Sequence, residues 1–232
     1  MTRSSRRNAQ QEALAIGLKE TRDHLHSWRQ TPTSTLPWLA AAAIVAVTML
    51  LGALIVAYVW APADRPFVPV FADRSSGWAE IWWLLQRNGL VLLLHLLVCF
   101  ACYLARRSVP LQARHTQGVN RWVHEKASPF ALLCVTACTA FSLGWQTWLL
   151  GYDLADAARA LDMSAPALLS RLAPHAMIEL TAVFMPLAAC CLLGRRRQWN
   201  ALAAAAVMCA VVALPMLLLG AAVEVWVAPR LL

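Results

Sequence analysis

The stretch Trp38 to Trp60, WLAAAAIVAVTMLLGALIVAYVW, carries no charged residue over its whole length. A helix needs about 20 residues, at about 1.5 Å each, to cross the hydrocarbon core of a bilayer, so this stretch is long enough to span one. Four further segments have the same character: 88–105, 129–151, 174–194 and 201–228. Backbone groups in lipid must be satisfied within their own segment, so each span is expected to be a helix. The expected fold class is therefore an all-α polytopic membrane protein with five transmembrane helices. Composition agrees: 60% of the residues are hydrophobic and 14% charged, where an average soluble domain has roughly 25% charged. Pro186 and Pro215 fall inside the fourth and fifth spans and are expected to kink them.

The basic residues set the expected orientation. Fourteen lie in the N-terminal stretch, the loop after the second span and the turn Arg195 to Arg197, whereas six lie in the remaining loops and at Arg230. The two sets fall on alternating sides, which by the positive-inside rule puts the N-terminus in the cytoplasm and the C-terminus outside. Residues 1–37 then form a cytoplasmic basic segment and residues 38–232 the transmembrane domain. The first span starts too late and runs too long for a secretory signal, so no cleavage is expected. The alternation accounts for the net charge of +8 without nucleic acid, and membrane lipid is the first expected partner. All seven cysteines fall in the spans, where they act as small apolar residues rather than as a disulfide framework.

Between the spans, Arg3 to Gln30 reads as a short helix and TPTSTLP as its linker to the membrane. Outside, a Pro-rich stretch ends at Gly77. WAEIWWLLQRN follows and is expected to lie along the interface before turning inward at Asn88, because tryptophan favours the headgroup level. ADAARALDMSAPALLSRL reads as one or two short helices broken at Ser164 to Pro166. No internal repeat, phosphate loop or nucleotide signature occurs, which argues against an ATPase.

A few polar residues interrupt the spans. His175 and Glu179 are four apart in APHAMIELTAVF and share one helix face. With the expected orientation, Asn88, Gln146, His175, Glu179 and Glu224 come to one level in the outer leaflet, Glu179 about 7 to 8 Å below the outer edge. Charge facing lipid costs at least about 2.5 to 3.5 kcal/mol at the bilayer centre, so these groups should face one another. Such a cluster serves as interhelical glue, as a site for a proton or an amphiphile's polar head, or as a metal site. The metal reading lacks an HExxH motif and an evident fourth ligand. His95, Cys99 and Cys102 share a face of the second span, and His95 can instead bond a neighbouring carbonyl. No nucleophile has an evident partner base. The expectation is a non-enzymatic protein with no metal and no cofactor.

These residues also carry a family resemblance. Pro174, His175 and Glu179, followed by Ala182 and Phe184, resemble the PHG-to-PAIF signature of the stage II sporulation protein M family. AAVEVWVAP resembles its terminal motif at Glu224, Ala228 and Pro229, while Asn88 and Gly151 fall where that family opens its second span and closes its third. Ala176 and Gly89 depart from the pattern, and the double glycine after the second span is absent. The resemblance covers about Trp38 to Leu232. It implies a multi-pass protein of the bacterial inner membrane that acts as an envelope scaffold or complex subunit. The implied partners are other envelope proteins, such as peptidoglycan-remodelling factors or a separate ATPase, and self-association into a homo-oligomer is left open. The alternative is a permease-like subunit for a small or lipidic substrate.

Overall fold

A computed structural model of the chain describes residues 3–59, 77–104, 106 and 119–230. The Pro-rich outer stretch and most of the loop after the second expected span lie outside the described residues. Six α-helices make up the described fold: α1 (Arg3–Gln30), α2 (Leu36–Val59), α3 (Trp78–Tyr103), α4 (Val119–Ala160), α5 (Ala165–Arg195) and α6 (Leu202–Trp226). Short 3-10 turns at Pro32–Thr35 and Trp199–Ala201 lead into α2 and α6, and a third, Ala228–Arg230, follows α6 and contains Pro229. The architecture is all-α. Among the described residues four segments, against the five expected, are long and apolar enough to cross a membrane: Pro32–Val59, Trp78–Tyr103, Ala165–Arg195 and Trp199–Trp226. The segment expected as the third span, 129–151, lies within the 42-residue helix α4.

The centre of the bundle is α5. It packs most extensively on α2 and α6, α3 lies against α6 and α5, and α4 leans on α2 while touching α5 only sparingly. Burial follows this order. From Thr181 to Pro186 α5 is buried without a gap, as befits a helix surrounded by others. The flanking helices are buried on one stripe only. On α2 the stripe is Ala42, Ala46, Met49 and Ala53, and on α6 it is Ala205, Cys209, Ala213 and Leu217. Small residues at these spacings let backbones approach closely. The opposite faces expose Ile44, Leu51 and Ile55 on α2, Leu90, Leu94 and Leu97 on α3, and Val211, Leu214 and Leu218 on α6. Apolar surface on the outside as well as the inside is what a bilayer solvent requires.

Two glycines fix the α2–α4 contact. A Cβ added at Gly151 would stand 2.5 Å from Val56 Cβ and 2.7 Å from the Ala53 carbonyl oxygen, and one at Gly52 would stand 2.7 Å from Thr147 Cγ2. No side chain fits between the helices at these points. On the far side of the core, α3 bonds to the carbonyls of α5 around Pro186. His95 donates from Nδ1 to Val183 O at 2.9 Å, and the Cys99 thiol donates to Pro186 O at 3.0 Å. The carbonyl can only accept, so Nδ1 carries the imidazole proton. Proline disturbs the preceding helical turn, and these two donors meet the carbonyls beside it.

Three boundaries differ from the sequence reading. The chain does not turn at Asn88: α3 runs unbroken from Trp78, with Gly77 (φ 126°) before it. One glycine at position 89 costs a helix only about 1 kcal/mol against alanine, and good helix formers on both sides outweigh it. Likewise α5 begins at Ala165 rather than Pro174, because the start signals are Ser164 and Pro166. Ser164 Oγ accepts from the Ala167 N–H at 3.4 Å, and Pro166 sits in the first turn. The expected short helices are thus the ends of α4 and α5, separated by a break at Leu161–Ser164 where Asp162 takes φ 51°. Pro174, Pro186 and Pro215 lie inside continuous helices.

Candidate functional site

At the end of the bundle where α3 begins and α6 finishes, Trp78 and Trp226 meet edge to face, 5.3 Å between centroids. Trp82 and Trp83 are exposed nearby on α3. Such a collar marks the polar–apolar boundary of a membrane. Six residues before Trp226, about 9 Å along the axis of α6, stands Gly220, and Glu179 of α5 is pressed against it. A Cβ at position 220 would lie 2.4 Å from Glu179 Cγ and 3.0 Å from its Oε1. From α3, Asn88 Nδ2 donates to Glu179 Oε2 at 2.9 Å. One glutamate therefore links three helices. Its second oxygen, Oε1, is buried and has no hydrogen-bond partner among the described residues.

Glu179 lines a cavity of about 350 Å³ bounded by α2 to α6. Asn88, His175 and Glu224 line it too, so four of the five residues expected to converge share one space. The i, i+4 pair on α5 presents both side chains to that space, and His175 is only 7% exposed. The remaining wall is amphipathic. Arg87, Asp153 and Asp156 stand on it, and Leu50, Ala53, Leu154, Leu169, Leu172 and Leu180 make the apolar part.

Gln146 is not part of this lining. Its amide donates to Ser142 Oγ at 2.9 Å, one turn back on α4. The reason is position along α4: that helix lines the cavity from Leu150 onward, and Gln146 lies one turn before it. Gly151 contacts α2, and Pro174 lies on α5 one residue from His175.

Three charged residues of the cavity escaped the sequence reading. Arg87 precedes Asn88 and holds its guanidinium 5.7 Å from the ring centroid of Trp83, four residues earlier on the same helix. Asp153 and Asp156 follow the expected end of the third span, where the chain reads as a loop; the continuation of α4 to Ala160 brings them to the cavity. Asp156 also pairs with Arg159 on its own helix. Burial pushes the Asp153 carboxyl above the usual carboxylate range, with Arg87 opposing the shift and the Asp156 carboxylate adding to it.

The cysteines show no disulfide: Cys99, Cys102, Cys190 and Cys209 are buried, and Cys134, Cys138 and Cys191 are exposed. Among the described residues no group of three or more His, Cys, Asp or Glu side chains is disposed to hold a metal ion. Comparison with protein-family profiles, curated protein sequences and solved structures gives no match for this chain. Fold and composition together fit a multi-pass helical membrane protein with a polar cavity beneath one collar of tryptophans.

Proposed function

We propose that the chain is a five-span inner-membrane protein of the bacterial cell envelope, with its N-terminus in the cytoplasm and its C-terminus outside. In this reading it acts as a non-enzymatic scaffold or complex subunit, similar to the stage II sporulation protein M family. The observation that carries the reading is the clasp at Glu179: a 2.9 Å bond from Asn88 of α3 and close contact with Gly220 of α6. A polar bond between helices in lipid contributes about 0.6 to 1.7 kcal/mol, so the clasp joins three helices at the level from which the outer parts of α3, α4 and α5 project. Those parts, and the outer loops, are the surfaces offered to other envelope proteins.

Cross-linking and pull-down from native membranes test this reading. Glu179→Gln keeps an acceptor for Asn88, so a scaffold retains both its fold and its partners when this variant is captured. Capture of no envelope protein by the wild-type chain contradicts it. The cavity favours a second reading, a permease-like subunit for a small or lipidic substrate. Glu179→Gln then abolishes transport while expression stays normal.

A further inference from the structure

Three of the cysteines touch one another rather than merely filling space. Cys99 and Cys102 stand one turn apart near the end of α3, and Cys190 meets them from α5, about 16 Å along that helix from Glu179. The Cys190 thiol shares hydrogen bonds with both. Each thiol has one proton to give, and Cys99 directs its own to Pro186 O at 3.0 Å. Cys190 must then donate to Cys99, and Cys102 to Cys190. The result is a chain of thiols across the α3–α5 seam, with Cys102 as its first donor.

Cys102 and Cys190 have what a covalent link between helices needs. Their sulfurs are already in hydrogen-bond contact, and they stand on different helices. The Arg106 guanidinium, held 5.0 Å from the Trp199 ring centroid, acts on Cys102 with its positive charge. Such a charge helps a thiol to attack an oxidant, whereas burial slows the attack. Cys191, the next residue on α5, is exposed, so the cluster sits close to the protein surface. In the orientation proposed above this is the cytoplasmic half of the membrane, where thiols are kept reduced and a disulfide forms only transiently.

We propose that Cys102 and Cys190 are a redox latch: a peroxide joins them in a disulfide that ties α3 to α5, and exchange with a cytosolic dithiol opens it again. One thiol attacks the O–O bond and becomes a sulfenic acid, its proton leaving with the displaced hydroxide as water. The second thiol attacks that sulfur, the S–S bond forms and another water leaves. The sulfurs thus lose two electrons in all, and the peroxide takes them up. On opening, the dithiol leaves as its own disulfide. Cys99 is passed over because it is fully buried and its proton is engaged by Pro186. The latch goes beyond the scaffold and permease readings and depends on neither.

The test treats the purified full chain in maltoside detergent with hydrogen peroxide, unfolds it, blocks free thiols with N-ethylmaleimide and weighs it by mass spectrometry. The reduced chain takes up seven maleimides, one per cysteine. The oxidised chain is expected to take up two fewer, and its digest to yield a joined peptide holding Cys102 and Cys190. Cys102→Ser and Cys190→Ser each lose that peptide, while Cys209→Ser, buried on α6, keeps it. If a serine variant does not fold, the wild-type digest carries the assignment. Closure is also expected to raise the thermal midpoint by at least about 4 °C, reversibly with dithiothreitol. Full maleimide uptake after peroxide, a link between Cys99 and Cys102 within α3, or an unchanged midpoint overturns the proposal. The behaviour of Glu179→Gln has no bearing on this outcome, so the ideas fail separately.

Discussion

Gly220→Ala is the smallest change that reaches the clasp. In the folded chain the new methyl would stand 2.4 Å from Glu179 Cγ, 3.0 Å from Oε1 and 3.2 Å from Cδ. Carbon atoms rest at about 3.5 to 4.0 Å, so the glutamate must withdraw by more than about 1 Å at Cγ, which the 2.9 Å bond from Asn88 does not survive. Overpacking of this kind costs about 1 to 3 kcal/mol, and the lost interhelical bond adds about 0.6 to 1.7 kcal/mol. Against this, alanine improves a helix interior by about 1 kcal/mol over glycine. The net loss is then about 0.6 to 3.7 kcal/mol. Thermal unfolding of the purified protein in detergent reads it as a lower midpoint. The decisive comparison repeats the substitution in a Glu179→Ala background, where no Cγ is present to collide with. There Gly220→Ala should be neutral or stabilising, so the two substitutions are strongly coupled. An equal loss in both backgrounds, or a gain in the wild type, refutes the reasoning.

Gly151→Ala should be more damaging than Gly220→Ala, because its Cβ meets the Ala53 carbonyl and Val56 Cβ rather than the length of a flexible side chain; monodispersity on size-exclusion chromatography measures it, and wild-type behaviour contradicts the α2–α4 packing. A cysteine at Arg159 should react with a membrane-impermeant maleimide in intact cells, and one at Arg196 only after permeabilisation. The reverse pattern inverts the proposed topology.

Four of the five spans were legible because apolar length is a signal that lipid leaves uncompensated: α2, α3, α5 and α6 hold all or most of the expected segments 38–60, 88–105, 174–194 and 201–228, whereas 129–151 lies within α4, which is not among the four candidate spans found in the described residues. Their outer limits were not, since Trp78 to Arg87 and Ala165 to Ala173 continue their helices beyond the apolar core without any change that periodicity registers. The shared face of His175 and Glu179 followed from helical geometry alone, and both line the cavity. A common depth for Gln146 does not hold, because α4 runs on past the expected end of its span and meets the cavity only from Leu150 onward. Arg87 and Asp153 went unrecognised for a related reason: each lies just outside a segment drawn by hydropathy, while the helix that carries it runs on. Gly220, the residue closest to the clasp, gives no sign in the sequence, because what singles it out is a side chain 41 positions away.

The central claim is that Asn88 and Glu179 hold α3 to α5 within the bundle, and a double-mutant cycle measures that bond itself. Stabilities of the wild type, Asn88→Ala, Glu179→Ala and the double variant, taken in one detergent, give the coupling. A favourable interaction of about 0.6 to 1.7 kcal/mol is predicted. Additive effects, with no coupling between the two positions, contradict the account.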